Sequence, residues 1–154
     1  MLTSRVPAAL AALLAILRAA PVLDGVRIVD GAESTNATER DMILIGWTAN
    51  GEAAVELEQD FSGAGARTRD ESFTIACYAE ARRGDKDMAP ARARVFELVG
   101  AVETALRATD AEPEAPTLNG SVLWAHLTTG NLQQIAAEGT LAGLTFTVSC
   151  RARI

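Results

Sequence analysis

The residues able to do chemistry are few, and their spacing works against each constellation they suggest. The chain has one histidine, His126, in a run with Val122 and Trp124. A Ser/His/Asp triad needs a base held by one group and facing a nucleophile, and a lone histidine without such partners reads as structural or interfacial. The two cysteines, Cys77 and Cys150, are far apart in sequence, and with one histidine they make too few ligands for a zinc cluster. Glu56, Glu58 and Asp60 recur with a period of two, which places three carboxylates on one solvated strand face rather than around a substrate. Gly63 and Gly65 open a glycine-rich loop, but Thr68 stands where a GxGxxG pattern needs its third glycine, and no P-loop lysine follows. Arg83-Gly84-Asp85 matches a short recognition tripeptide and is explained as a strand-to-helix loop. Asn36-Ala37-Thr38 and Asn119-Gly120-Ser121 fit the glycosylation sequon, which has no force without a secretory route. The chain is read as non-enzymatic, with no catalytic, metal or cofactor site.

Composition sets the class of partner. A chain of 154 residues fits one domain, 1–154, and can bury roughly 70% of its unfolded surface without a metal or disulfide staple. Apolar residues make up 49% and aromatics only 5%, so the core is aliphatic and alanine-rich, and helix and sheet can approach closely. A formal net charge of -6 argues against capture of DNA by phosphate neutralisation, which needs clustered Lys and Arg. It is compatible with DNA passing by without sticking. Cys77 and Cys150 each fall on the apolar face of an expected strand and read as small reduced core residues; a bridge is geometrically possible only if those strands are neighbours.

The elements follow from periodicity. Val6, Leu10, Leu13, Leu14 and Leu17 recur at helical spacing, with Ser4 as a cap and Pro21 as the stop. Arg18 at the small-residue position of a would-be cleavage site argues against an export signal, so this is expected to be the first helix of a cytoplasmic protein. Val26–Val29 is a short strand and Gly31–Arg40 a loop. Met42–Thr48 is apolar throughout, as in a strand buried on both faces, and Asn50-Gly51 predicts a type I′ hairpin returning into a strand over Ala53–Phe61. There Val55, Leu57 and Phe61 are expected inward. Ser62–Asp70 reads as a hairpin loop. Glu71–Ala81 alternates strictly, with Phe73, Ile75, Cys77 and Ala79 on the core face and Ser72, Thr74, Ala76, Tyr78 and Glu80 on the other. After a charged loop, Arg82–Asp87, a helix runs from Asp87 to Ala108 with Val95, Phe96, Val99, Val102 and Leu106 as its stripe. Glu112–Pro116 is a linker, Ser121–Leu127 a strand, Leu132–Ala136 a short strand or turn, and Leu144–Arg153 the last strand. The class is α+β: a mostly antiparallel or mixed sheet, with an N-terminal helix and a central helix packed on one face.

The order of these elements, with Glu71-Ser72-Phe73-Thr74-Ile75-Ala76-Cys77, the loop through Gly84-Asp85, the helix around Ala93–Leu106 and the late Asn131-Leu132-Gln133-Gln134, resembles the tail terminator, or tail-completion, proteins of long-tailed bacteriophages. The resemblance covers most of the chain. It implies a homo-oligomer, a hexameric ring, that caps the tail tube, ends tube polymerisation and presents a surface to the head connector. The partners it implies are the tail tube protein, the head connector protein and genomic DNA passing through without sequence-specific binding. No membrane or cofactor is implied. The location is the virion, at the head-tail joint, after assembly in the host cytoplasm. On this reading the subunit or tube interface comprises Arg67 and Arg69 in the Ser62–Asp70 loop, and Ser72, Thr74, Tyr78 and Glu80 on the open strand face. The rival readings are a head-to-tail connector or stopper subunit, which would bind portal or adaptor rings, and a small cytoplasmic ligand-binding protein or enzyme, which would need a pocket with convergent polar groups.

Overall fold

The computed structural model describes residues 2–32 and 41–154. The loop expected over Gly31–Arg40 lies, from residue 33 onward, outside the described residues, as does the sequon at Asn36. Helix α1 spans Val6–Ala19 and α2 spans Met88–Ala105; the strands are β1 Arg27–Asp30, β2 Asp41–Ile45, β3 Val55–Phe61, β4 Arg69–Arg83, β5 Trp124–Ala136 and β6 Thr140–Arg153. The fold is α+β. The strands form one mixed sheet in the order β1-β2-β4-β6-β5, with β3 pairing on β4, and only β1-β2 is parallel.

The alternation of β4 explains the two-layer plan. Phe73, Ile75, Cys77 and Ala79 are buried and meet Leu13, Leu17, Val95, Leu98 and Val102 in one core, so both helices cover the same face. Each Val or Leu buried in this way contributes about 1.5–3 kcal/mol of transfer free energy. Asp87 caps α2, its side chain accepting from the Ala89 backbone N–H at 3.1 Å. Ser4 sits one place too early to cap α1: Arg5 holds the cap position, and the Ser4 hydroxyl accepts from the Val6 N–H at 3.0 Å.

The expected hairpin at Asn50-Gly51 does not form. Both β2 and β3 pair antiparallel with β4, β2 against Cys77–Ala81 and β3 against Arg69–Ile75, so they run in the same direction along one side of it. Between them the chain makes an excursion and returns: the Ala76 carbonyl accepts from the N–H groups of Gly46 and Trp47, and the Ala76 N–H donates to Ala54. A type I′ turn needs positive φ at both central residues, and here Gly51 has it while Asn50 does not. Gly46, with φ of +74°, ends β2 three residues before the expected Thr48.

Other elements differ from expectation as well. Strand β4 absorbs Arg82 and Arg83, which were expected in a loop. The two pieces expected around Ser121–Leu127 and Leu132–Ala136 are one strand, β5, continuous through an irregularity between Leu127 and Thr129. Strand β6 begins at Thr140, so β5 and β6 make a long hairpin. In α2 the buried stripe runs through Ala91, Val95, Leu98 and Val102, whereas Phe96 is exposed. Cys77 and Cys150 are free and buried on adjacent strands, and burial pushes both thiols up to about 12. Cys150 pairs in register with Phe73 and Cys77 with Phe146, so the two thiols are offset along the strands and face different partners.

Candidate functional site

The face of the sheet away from the helices is open, and four of the six residues singled out for assembly alternate along it. In the register of β4 with β6, Ser72 faces Arg151, Thr74 faces Ser149, Ala76 faces Thr147 and Tyr78 faces Thr145. The hydroxyls of Thr128 and Ser149 share a hydrogen bond of 2.9 Å on the same face. The middle of this surface is built of short hydroxyl side chains, which offer hydrogen-bonding groups at little cost in side-chain entropy, and it is flanked by Glu56 and Glu58 on β3 and by Arg151 on β6.

One end of that face is closed. The Tyr78 ring lies over Gly143, where an added Cβ would come within 2.8 Å of its Cε2, and packs on Trp47 with ring centroids 5.1 Å apart. The Tyr78 hydroxyl donates to Glu80 Oε1 at 3.1 Å, and Arg82 pairs with Glu80 Oε2 at 3.0 Å. Burial and the adjacent Glu80 carboxylate push the Tyr78 phenol well above its ordinary range. Glu80 is therefore buried between two partners, while Ser72 is exposed and Thr74 half-buried. The Gly46–Ala54 excursion stands beside this cluster and forms one wall of a trough of about 620 Å³ over Ala76, with Thr129, Asn131 and Thr147 opposite.

Arg67 is exposed near the tip of the β3-β4 hairpin, closed by the Ser62 N–H donating to the Thr68 carbonyl at 3.1 Å. Arg69 is the first residue of β4, and its backbone exchanges two 2.8 Å hydrogen bonds with Ile154. Next to it, Asp70 receives Arg153 at 2.8 Å and Arg151 at 3.3 Å. The hydrogen bond from Arg153, against a smaller effect of burial, holds the Asp70 carboxyl below the ordinary carboxylate range. Arg67 and Arg69 thus lie at the end of the sheet opposite Tyr78 and Glu80, and the six residues form a strip along β4 rather than one compact patch.

Periodicity alone does not mark several exposed apolar residues. Leu57 and Phe61 have the expected inward parity on β3, but only Gln59 between them is tied to the start of α1, through Thr3 and Glu71, and both apolar side chains remain exposed. Trp124, Leu132 and Ile135 are exposed along β5. The ring of His126 lies 4.9 Å from that of Trp124 on the open face. An open cleft of about 790 Å³ at the C-terminal ends of the helices has Ile16, Ala19, Ala20 and Ala105 on one side and the polar segment 109–119 on the other, and Arg107, which also lines it, is engaged by Glu103 at 3.1 Å. Among the described residues no group of three or more His, Cys, Asp or Glu is placed to hold a metal ion, and no helix is long and apolar enough to cross a membrane.

The fold is similar to that of a virion chain. The match, to a chain of "Virion of native gene transfer agent (GTA) particle", covers 94% of this chain and 94% of that one, with a TM-score of 0.54 and 12% sequence identity. At that identity the shared property is the fold. No protein-family model and no curated protein matches the sequence.

Proposed function

We propose that this chain is a structural subunit of a phage-like virion that forms a ring on the end of a tail tube, stops its growth and joins it to the head connector. One observation carries the reading: the fold is shared, over 94% of both chains, with a chain of a gene transfer agent virion. The cleft at the helix ends has an apolar wall of Ile16, Ala19, Ala20 and Ala105, and its arginine, Arg107, is already paired with Glu103, which supports a surface-driven role over a ligand-driven one. The hairpin carrying Arg67 and Arg69, together with the exposed and half-buried hydroxyls of Ser72 and Thr74, is the surface offered to the tube. Tyr78 and Glu80 hold the far end of the same strip rigid through the Trp47 and Arg82 contacts. The charge of -6 lets DNA cross such a ring without being retained.

The experiment is electron microscopy of the purified protein mixed with tail tubes. Rings at tube ends are expected, and Arg67→Glu with Arg69→Glu should remove them while the circular dichroism spectrum stays that of the parent. Tubes left bare by a folded parent protein overturn the reading. Binding to portal or adaptor rings in place of tubes assigns the connector role instead.

A further inference from the structure

Besides the edge of the four-residue β1, the sheet leaves the edges of β3 and β5 uncovered among the described residues, and these two are complementary in three respects. The first is polarity. Strands β3, β4, β6 and β5 alternate in direction along the sheet, so β3 and β5 run opposite ways. A second copy placed so that its β3 lies beside β5 continues the sheet as an antiparallel pair, with the same face up. The second is shape. On the helix-covered face, β3 leaves Leu57 48% and Phe61 68% exposed. Beside β5, on the same face, lies a mainly apolar groove of about 420 Å³ lined by Phe96, Val99, Leu127, Leu132 and Leu144, with one charged residue, Glu103, which is paired with Arg107. Side chains opposite one another in an antiparallel pair share a face, so such pairing directs Leu57 and Phe61 towards this groove.

The third is charge. Natural proteins blunt a free edge with charged side chains, proline or short length. Strand β5 is 13 residues long and holds no Asp, Glu, Lys, Arg or Pro. Strand β3, in contrast, carries Glu56, Glu58 and Asp60 on its open face. Two β3 edges paired with each other would bring those carboxylates together, which is unfavourable. Against β5 they meet only Trp124, His126, Thr129, Asn131, Gln133 and Ile135, none of them acidic.

We propose that β3 of one copy pairs with β5 of the next, with Leu57 and Phe61 seated in the Phe96–Leu132 groove. The contact is heterologous: each copy uses one edge as donor and the other as acceptor, so the arrangement propagates to a ring or an open filament rather than stopping at a dimer. This rests on the ring reading above and names the surfaces that would make the ring.

The test uses Leu57→Cys and Leu132→Cys chains carrying different tags, the native thiols being buried. Each is treated with a short bismaleimide alone and in mixture, both free in solution and on tail tubes. Covalent dimers are expected only in the mixture, and ladders from the double variant. Phe61→Glu, at an exposed position, should keep the parent circular dichroism spectrum and weaken assembly at least about tenfold, in line with losing one buried aromatic contact. Dimers from Leu132→Cys alone would indicate a two-fold β5-β5 contact and overturn the proposal. Rings at tube ends with no mixed cross-link leave the tube-capping reading standing and overturn the edge pairing. Mixed cross-links in a protein that never caps tubes do the reverse. A folded chain that assembles under neither condition overturns both.

Discussion

Glu71 is the buried charge on which the join between α1 and the sheet depends. Its side chain points into the helix-covered layer, where Oε1 accepts from the Arg5 backbone N–H at 2.8 Å and Oε2 from the Gln59 side-chain amide at 2.6 Å. A carboxylate is tolerated there because each oxygen has a donor, and because the backbone donor belongs to the cap residue of a helix, whose N-terminus favours negative charge. Gln59 in turn donates to the Thr3 carbonyl at 2.7 Å, so one side chain ties the residues before α1 to both β3 and β4. Glu71→Ala would leave the Arg5 N–H without its acceptor and a gap under the helix. We expect a loss of about 1–3 kcal/mol in urea unfolding, with the largest gain in amide exchange over Thr3–Ala9. Glu71→Gln keeps one acceptor oxygen and should lose less. An alanine variant as stable as the parent would show that water replaces the carboxylate at no cost.

Asp41 does for the other end of the sheet what Glu71 does for the first, but between elements. It opens β2, receives Arg83 from the end of β4 at 2.9 Å, and receives Arg94 from α2 at 2.8 Å. Burial acts to raise its pKa, but the hydrogen bonds from Arg94 and Arg83, with their charges, outweigh it and hold the carboxyl below its ordinary value of 3.8. The sign follows: the stabilisation is fully present above 3.8, the unfolded value, and is lost as pH falls through the lower folded value. Asp41→Asn should cost about 1–3 kcal/mol at pH 7, and the gap between parent and variant in thermal unfolding should close as pH falls below 3.8. A gap that is constant with pH would place the effect in packing. Neither arginine was legible as a partner of Asp41, because the pairing depends on where β4 ends, and Arg83 was expected in a loop. The core face of β4 was legible, since strict alternation of Phe73, Ile75, Cys77 and Ala79 reports a strand with one covered face whatever lies on it. Coverage itself was not. Leu57 and Phe61 have the right parity, yet helix position decides whether parity becomes burial. Asn50-Gly51 misled because the partner of β3 is chosen by its fit to β4, not by the turn before it. In α2 the expected stripe holds Phe96, which is exposed, while Leu98 is buried, and in an alanine-rich helix small residues such as Ala91 mark the buried line.

How the charges are distributed decides what the assembled protein can hold. A net charge of -6 does not by itself exclude nucleic-acid binding, since one basic patch on an acidic protein would suffice. The arrangement of the arginines argues against such a patch. Among the described residues, Arg82 is committed to Glu80, Arg83 and Arg94 to Asp41, Arg107 to Glu103, and Arg151 and Arg153 to Asp70. The exposed cations without a carboxylate partner among the described residues are spread out, Arg18 on α1, Arg67 at the hairpin tip, and Lys86 and Arg92 at the start of α2, whereas Glu56, Glu58 and Asp60 stand together on the β3 face. A paired guanidinium has its charge cancelled locally and releases no counterion when DNA approaches, so the electrostatic gain that drives non-specific binding is absent. The proposed assembly would multiply the effect, because each added copy brings the same excess of carboxylate. We therefore expect no change in the fluorescence anisotropy of a labelled DNA duplex on adding the protein, free or assembled, from about 50 to 200 mM salt. Binding that weakens steeply with salt would reveal a basic surface created by assembly, and would make the proposed ring a clamp rather than a passive conduit.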